Sequence, residues 1–488
     1  MSNIFDEAKS ICPLDETDVV VYSLGCKTNQ YEGEALVAEF GKLGVRASDC
    51  MKPAKVYIIN TCSVTVEADR KSRQVCRRAR SLNPNAAVYV CGCAVANCSD
   101  EYFAGAKVIA GAMDKTKIAC QVVRWHSFFN QSGLVKPDVL VQATGGNLTG
   151  ANFEFDCHQA DSKASLLLGS DEDKVAKLPL EQRREVELDC TIDLSKVLPI
   201  FNAPKRARKH IKIQDGCNDF CSFCIIPFLR GRSRSRDVKD VVDEIASTNV
   251  NEIVLTGINI TRYGLDNGCT LTQLIQSIKT DARIRISSIE CNAIEWDLLD
   301  AMLCNNGCNH FHLSLQSGSD KVLRAMNRKY SVEHFEQKVK LIRRMMGDNT
   351  AITTDLIVGY PTESQKDFED TLDFVDKIKF SDVHAFKFSP RPKTVAARLP
   401  QLAPQVVDER FERLKSKVEA CKQSFLKAQV GLQHEVVFEN APDGIAPIGY
   451  TRNYCKVTCD KARANSIAKV TIDSLQGDTL IAKVATLI

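Results

Sequence analysis

The sequence predicts an α/β chain in three folded parts: a parallel α/β domain at the amino terminus, a partial (β/α)6 barrel in the middle and a small antiparallel β-barrel at the carboxyl terminus. Three observations predict it. Apolar runs alternate with helical patterns over residues 18–112, the alternation resumes at Lys209 for six further strand–helix repeats, and residues 431–488 hold only short alternating strands. Continuous apolar strands separated by helices are the pattern of a parallel sheet buried on both faces. Alternating strands without helices close into small antiparallel barrels.

In the amino-terminal part, taken as residues 1–125, strands are expected at Asp18–Cys26, Lys55–Cys62, Ala87–Cys93 and Ala106–Ala112. Asn29–Gly44 and the strongly basic Thr65–Leu82 read as helices between them. Periodicity is lost over about 113–205, where Gly145–Gly150 and the acidic, serine-bearing stretch Asp161–Glu187 read as an insertion or linker, set at 126–205. Cys157 and His158 in that stretch read as incidental.

The middle part, 206–430, has strands at Ile211–Cys217, Glu252–Asn259, Arg283–Glu290, His310–Leu315, Ala351–Pro361 and Asp382–Ser389. Helical patterns at Val238–Thr248, Leu271–Lys279, Trp296–Asn305, Val332–Met346 and Ser364–Ile378 separate them. A complete barrel has eight such units, so six make a partial one. A long polar helix, Gln405–Gln429, leads to the last part, 431–488, with strands at His434–Glu439, Tyr450–Cys459, Ile467–Leu475 and Thr479–Ala485.

A net charge of +3 on 488 residues gives no overall pull on nucleic acid, so any basic surface must be local. No run approaches a membrane span. The acidic start, with Asp6, Glu7, Asp15, Glu16 and Asp18, does not read as a transit peptide and holds no apolar core for a secretory signal, so neither is expected. The expectation is a cytoplasmic protein without a membrane anchor. Twenty-one cysteines in such a chain suit reduced thiols and metal ligation. Cys12, Cys50, Cys76, Cys98, Cys120, Cys269, Cys304, Cys308 and Cys421 read as ordinary apolar side chains. Cys455 and Cys459 share one strand face and suit packing better than ligation.

Cys217, Cys221 and Cys224 do not read as ordinary. C-x-x-x-C-x-x-C directly after a first barrel strand places three thiolates on one loop, on the face where such barrels carry their chemistry. Three thiolates hold three irons of a [4Fe–4S] cluster and leave the fourth open to a substrate or cofactor. A zinc site would bring a fourth ligand nearby, and none is obvious in the loop. Phe223, between two of these cysteines, could stack on an adenine. Three strands of the amino-terminal part also end in cysteine, at Cys26, Cys62 and Cys93. Ligands of open parallel sheets bind beyond the carboxyl ends of strands about 4.8 Å apart, so these thiols could meet on a second cluster. Cys91 shares a strand face with Cys93, and spacing alone does not choose between them.

The cysteine loop resembles that of the radical S-adenosylmethionine superfamily. Leu24-Gly-Cys-Lys-Thr-Asn-Gln-Tyr-Glu32, Ile59-Asn-Thr-Cys-Ser-Val-Thr65 and Ala68-Asp-Arg-Lys-Ser-Arg-Gln74 resemble methylthiotransferase motifs, and the last barrel resembles their TRAM domain. Leu255–Asn259, Arg285–Glu290, His312–Asp320 and Gly449–Tyr454 are similar to the threonylcarbamoyladenosine tRNA methylthiotransferases.

The resemblance implies that Cys217, Cys221 and Cys224 hold the cluster that binds and reduces S-adenosylmethionine. Cys26, Cys62 and Cys93 then hold a second [4Fe–4S] cluster, where sulfur is carried. It favours Cys93 over Cys91. By analogy Gly257, Asn259, Glu290 and Gln316 line the cofactor site, and Val358-Gly-Tyr-Pro-Thr362 holds the adenine. The implied product is a methylthio group on C2 of threonylcarbamoyladenosine at position 37 of a tRNA anticodon stem-loop, with an electron-donor protein and a sulfur source as partners.

Lys205, Arg206, Arg208, Lys209 and Lys212 before the loop, and Arg230, Arg232, Arg234 and Arg236 after it, suit RNA phosphates. The helix with Arg70, Lys71, Arg73, Arg77, Arg78 and Arg80 adds to them or is simply solvated. The alternatives are isopentenyladenosine tRNA, a ribosomal-protein aspartate, or a non-catalytic iron–sulfur RNA-binding protein.

Overall fold

A computed structural model describes residues 17–97, 100–103, 105–112, 115, 117–125, 207–441 and 445–487. Cys12, Cys98, Cys157, His158, Lys205, Arg206 and the 126–205 segment lie outside the described residues.

Period-two alternation sorts the amino-terminal strands onto two apolar faces. β1 (Thr17–Ser23), β2 (Ala47–Ser48), β3 (Ala54–Thr61), β4 (Ala87–Gly92) and β5 (Lys107–Ala110) form a parallel sheet in the order β2-β1-β3-β4-β5. Val19, Val21 and Ile58 point to one face, where Leu36 and Phe40 of helix α1 (Lys27–Lys42) cover them. Val20, Tyr57 and Ile59 point to the other, against Val75 and Ala79 of helix α2 (Val66–Leu82). Both faces are dry, so the strands read as continuous apolar runs. The irregular segment expected from about residue 113 does not begin there. Helix α3 (Ile118–Trp125) buries Ile118, Ala119, Val122 and Val123 beside α1. Eight residues are too short for its periodicity to stand out.

The middle part is a six-stranded parallel arc. β6 (Arg208–Lys212), β9 (Glu252–Thr256) and β10 (Arg283–Ile286) pair in one sheet; β11 (His310–His312), β12 (Ala351–Val358) and β13 (Asp382–Lys387) pair in a second. Isolated parallel bridges Ile284–Gly307 and Ile289–Leu313 join the two. The arc stays open between β6 and β13, and α1 packs beside the β6 edge. Helices Val238–Ala246, Leu271–Ser277, Trp296–Cys304, Val332–Met346 and Gln365–Ile378 cover the outside, with Phe311, Phe335, Ile342, Phe368 and Val375 in one buried core. Thr270, Ser331 and Ser364 cap three of these helices, each accepting a hydrogen bond from a backbone N–H in the first turn. A short antiparallel pair, β7 (Gln214–Asp215) with β8 (Arg234–Ser235), frames the cysteine loop.

The long helix Pro404–Lys427 leads to a closed barrel of β14 (Gln433–Phe438), β15 (Ile448–Thr451), β16 (Lys456–Thr458), β17 (Ile467–Gln476) and β18 (Thr479–Leu487), in the order β14-β15-β16-β18-β17. The single strand expected at Tyr450–Cys459 is two strands. The chain turns at Tyr454, whose φ is +66°. Cys455 and Cys459 are buried in the core of this barrel. Its rim docks on the amino-terminal end of the arc: the buried Arg283 donates to the Tyr450 carbonyl at 2.6 Å, and Arg285 to the Thr451 carbonyl at 3.1 Å. Among the described residues no helix is long and apolar enough to cross a membrane.

Candidate metal centres and active site

The first triplet is built by the ends of three neighbouring strands. After β1 the chain reaches Gly25, whose φ is +90° and on which a Cβ would lie 2.5 Å from Cys62 Sγ. Only glycine permits that approach. Cys26 follows as the residue that caps α1, exposed and in extended geometry. Cys62 follows β3 and is buried; Cys93 follows β4 and opens a short 3-10 turn. Cys62 shares its electrostatic surroundings with Cys26 and Cys93, and burial pushes its thiol up to about 12. Such a thiol stays protonated unless a cation or metal binds it.

Gly92, φ +97°, turns the chain between Cys91, in β4, and Cys93, just after it. The side chain of Cys91 goes to the apolar core with Val19 and Ile58, opposite Asn60 on β3. Cys93 goes the other way, against Ile225 and Leu229. Those two residues belong to the segment directly after Cys224.

The second triplet lies between β7 and β8. Cys217 N donates to the Gly231 carbonyl at 3.1 Å and Cys224 N to the Cys221 carbonyl at 2.9 Å, which closes the loop tightly. All three cysteines are half-buried. Burial raises each thiol, that of Cys224 to about 12, where its neighbours Cys221 and Cys217 add to the effect. Arg328 opposes the rise at Cys221, with Nη1 3.4 Å from its Sγ.

The expected cofactor-lining residues gather around this loop to different degrees. Glu290 is ion-paired at 2.9 Å with Arg328, the same guanidinium that donates to Cys221. Asn259 Nδ2 lies 3.9 Å from Cys217 Sγ and donates to Asp219 at 2.6 Å. Phe223 packs against Val322, Met326 and Tyr360. Ser222 Oγ is 2.8 Å from the Tyr360 hydroxyl, which ties the loop to the segment after Val358. Val358 itself is buried in the main core, and its carbonyl accepts from Phe388. Gln316 adopts φ +78° and bridges to Leu356. Gly257 lines the lumen of the arc.

A buried charge network joins the two α/β parts. Arg230 is fully buried. Its Nη1 donates to Glu32 at 2.8 Å and to Asp215 at 3.0 Å, and its Nη2 to Asn29 at 2.7 Å. Lys212 and Lys115 also donate to Glu32. Burial alone would raise the Glu32 carboxyl, but these three cations hold it well below the usual carboxylate range. Tyr31 crosses the same boundary, donating to Glu244 at 3.1 Å. The Leu24–Glu32 motif is thus a hinge of contacts between the two α/β parts.

This takes five residues out of the basic patch expected beside the loop. Lys209, Lys212, Arg230 and Arg236 are buried in ion pairs with Glu244, Glu32 and Asp215, and Arg208 is paired with Glu439. Arg232 stays exposed, with its guanidinium 5.7 Å from the exposed ring of Phe220. On α2, Arg70, Arg77 and Arg78 are exposed. Sequence spacing records charge and not burial, so it cannot separate such groups.

A cavity of about 580 Å³ fills the opening of the arc. Cys26, Lys27 and Thr28 line it from the amino-terminal domain; Gly257, His312, Asp355 and His384 line it from the barrel; Tyr454 and Lys456 line it from the last barrel. A concavity of the same size beside Ser319, Asp367 and Lys377, outside the arc, touches none of the six cysteines. Within the cavity His312 Nε2 is 3.2 Å and His384 Nδ1 3.4 Å from the Asp355 carboxylate. The sequence reading missed Lys27, Asp355 and Arg328 as site residues and took the buried Arg230 for a surface contact to RNA. Lys27 stood inside the quoted motif; Asp355 and Arg328 have no local signature.

Residues 211–375 match the Radical SAM superfamily, and residues 18–113 match the Uncharacterized protein family UPF0004. The threonylcarbamoyladenosine tRNA methylthiotransferase of Bacillus subtilis is 31% identical over 471 residues, covering 93% of this chain and 92% of that protein. The Aquifex aeolicus protein of the same description is 33% identical over 435 residues, covering 86% and 93%. The tRNA-2-methylthio-N(6)-dimethylallyladenosine synthase of Acetivibrio thermocellus is 27% identical over 470 residues, covering 93% and 85%. Among solved structures, the radical S-adenosylmethionine methyltransferase TsrM from Kitasatospora setae aligns with a TM-score of 0.48 and 14% identity, over 78% of this chain and 77% of that one. With relatives above 30% identity along nearly its whole length, the chain belongs to the radical S-adenosylmethionine tRNA methylthiotransferase family.

Proposed function

We propose that this protein is a radical S-adenosylmethionine enzyme that adds a methylthio group to C2 of N6-threonylcarbamoyladenosine at position 37 of the tRNA anticodon loop. One observation carries the reading: each of two separate thiol triplets is drawn together by its own fold, and Cys93 of the first packs against Ile225 and Leu229, in the segment directly after the second. Soft thiolates in groups of three fit [4Fe–4S] clusters with one iron open. We assign Cys217, Cys221 and Cys224 to one cluster and Cys26, Cys62 and Cys93 to the other. When bound, the clusters and S-adenosylmethionine supply the reducing, radical and sulfur chemistry.

The chain's own residues have narrower tasks. Arg328 supports Cys221 and fixes Glu290, and Phe223, Gly257, Asn259, Gln316 and the Val358 segment are assigned to S-adenosylmethionine. Glu32, Lys115, Lys212, Asp215 and Arg230 lock the two α/β parts in register. Exposed Phe220 and Phe228, in edge-to-face contact at 6.0 Å, with Arg232 beside them, offer stacking and charge for an unpaired loop of RNA. We divide the chain into 1–125 (amino-terminal domain), 126–205 (linker), 206–430 (radical core) and 431–488 (TRAM-like barrel), and assign an electron-donor protein and a sulfur source as partners.

Anaerobic reconstitution followed by iron counting tests the cofactors, and about eight irons per chain is the expected result. Nucleoside mass spectrometry of tRNA incubated with the reconstituted enzyme tests the substrate. About four irons, or methylthiolation of isopentenyladenosine alone, refutes the reading.

A further inference from the structure

The cavity between the two α/β parts is lined by one lysine that, among the described residues, the charges around it leave unpaired. Of the cations around it, Arg283 and Arg285 are spent on Glu252 and on carbonyls of the β15 end, and Arg208 on Glu439. Lys422 is paired with Asp382 and Asp478. Lys27 differs. It lies one residue from Cys26, lines the cavity, and among the described residues has no carboxylate within 4.0 Å and no hydrogen-bond acceptor. Its longer-range charged company is mixed: Tyr454 and Glu252 favour the ammonium, and Arg285 and Arg208 oppose it. Of the carboxylates that line the cavity, Asp355 is held by His312 and His384, and Asp382 and Asp478 by Lys422. A half-buried ammonium with no acceptor in contact is better satisfied when an anion meets it in the cavity.

We propose that Lys27 is the anchor for the carboxylate of the threonylcarbamoyl substituent, and so the residue that selects this nucleotide over an adenine with an uncharged N6 group. The inference rests on the function proposed above. A base held at Cys26 with its edge toward the lumen extends its N6 substituent into the 580 Å³ space that Lys27 borders. A charge-assisted hydrogen bond there adds both affinity and register.

The test uses reconstituted full-length enzyme and two synthetic anticodon stem-loops. One carries threonylcarbamoyladenosine; the other carries the same nucleotide with its carboxylate converted to a primary amide. Methylthiolation is followed by mass spectrometry, and iron content is measured alongside to verify that the Cys26 site is loaded. Wild type is expected to prefer the acid by about 10- to 100-fold in kcat/KM, chiefly through KM, as loss of a hydrogen bond to a charged group predicts. Lys27→Met is expected to bring the two substrates within about threefold of each other, by loss on the acid, and Lys27→Arg to keep part of the preference.

Wild type that treats acid and amide alike overturns the inference, whatever the variants do. So does an iron-replete Lys27→Met that keeps the wild-type preference. Wild type that modifies neither stem-loop refutes the proposed function instead.

Discussion

Removing the charge of Glu32 while keeping its volume, by Glu32→Gln, is the sharpest test of how the two α/β parts are held together. In the structure three cations, Lys115, Lys212 and Arg230, converge on the two Glu32 oxygens, and Glu32 is 8% exposed while Arg230 is fully buried. An amide offers one acceptor oxygen and sets an NH2 against donors, and Asp215 is then the only carboxylate left among three cations. Leaving buried charge uncompensated costs about 3–5 kcal/mol. At about 1.4 kcal/mol per factor of ten, the amides of α1 and β1 should lose roughly two to four orders of magnitude in hydrogen-exchange protection. The assay is exchange mass spectrometry on the reconstituted enzyme. It reads local opening and needs no two-state assumption for a multi-domain chain. Glu67→Gln is the control: its partner Arg70 is exposed, and exposed pairs contribute little, so protection of α2 should change by no more than about fivefold. A change below about tenfold for Glu32→Gln refutes the claim that this network locks the domains.

Cys93→Ala is expected to lower iron from about eight to about four per chain, whereas Cys91→Ala, a core substitution, retains it; iron and sulfide counting decides between them. Gly25→Ala forces a Cβ within 2.5 Å of Cys62 Sγ at φ +90°, so it should lose the same four irons as Cys62→Ser while the Cys217 triplet stays loaded. Asp215 and Glu32 have depressed carboxyl groups, about 2 for Asp215, so their contribution is complete above the ordinary carboxylate range and fades only as pH falls through the lowered values. Protection of α1, corrected for intrinsic exchange, should therefore be flat from pH 9 to about 5. His384 is raised above its ordinary value by its hydrogen bond to Asp355, while burial and then Arg285 hold His310 well below it. Histidine NMR titration should separate the two, and Asp355→Asn should bring His384 down. Because a raised histidine stabilises below its unfolded value of about 6.5 and stops doing so above its folded value, Asp355→Asn should lower the thermal midpoint more at pH 6 than at pH 9.

The architecture was legible because each part advertises itself locally. Doubly buried strands such as Val19–Val21 and Tyr57–Ile59 are apolar at every position, and helices such as Val332–Met346 repeat every 3.6 residues and carry their own caps. Elements of two to eight residues were not legible: β2, the β7–β8 pair and α3 take their conformation from neighbours already in place. The strands also end earlier than their apolar runs suggest, since Cys26, Cys62 and Cys217 sit on the turns that follow and not in the ladders.

The sequence by itself determined which residues are candidates for the chemistry: six cysteines, three at the ends of expected strands and three in one C-x-x-x-C-x-x-C loop. It could do so because ligand type and strand periodicity are local properties. Only the tertiary structure decided which of Cys91 and Cys93 faces the other thiols, through the turn at Gly92. It alone withdrew Lys209, Lys212, Arg230 and Arg236 from the surface, and it alone left Lys27 facing the lumen among the described residues without a partner. Burial and pairing are set by chain segments hundreds of residues apart, and no window of sequence contains both sides of such a contact.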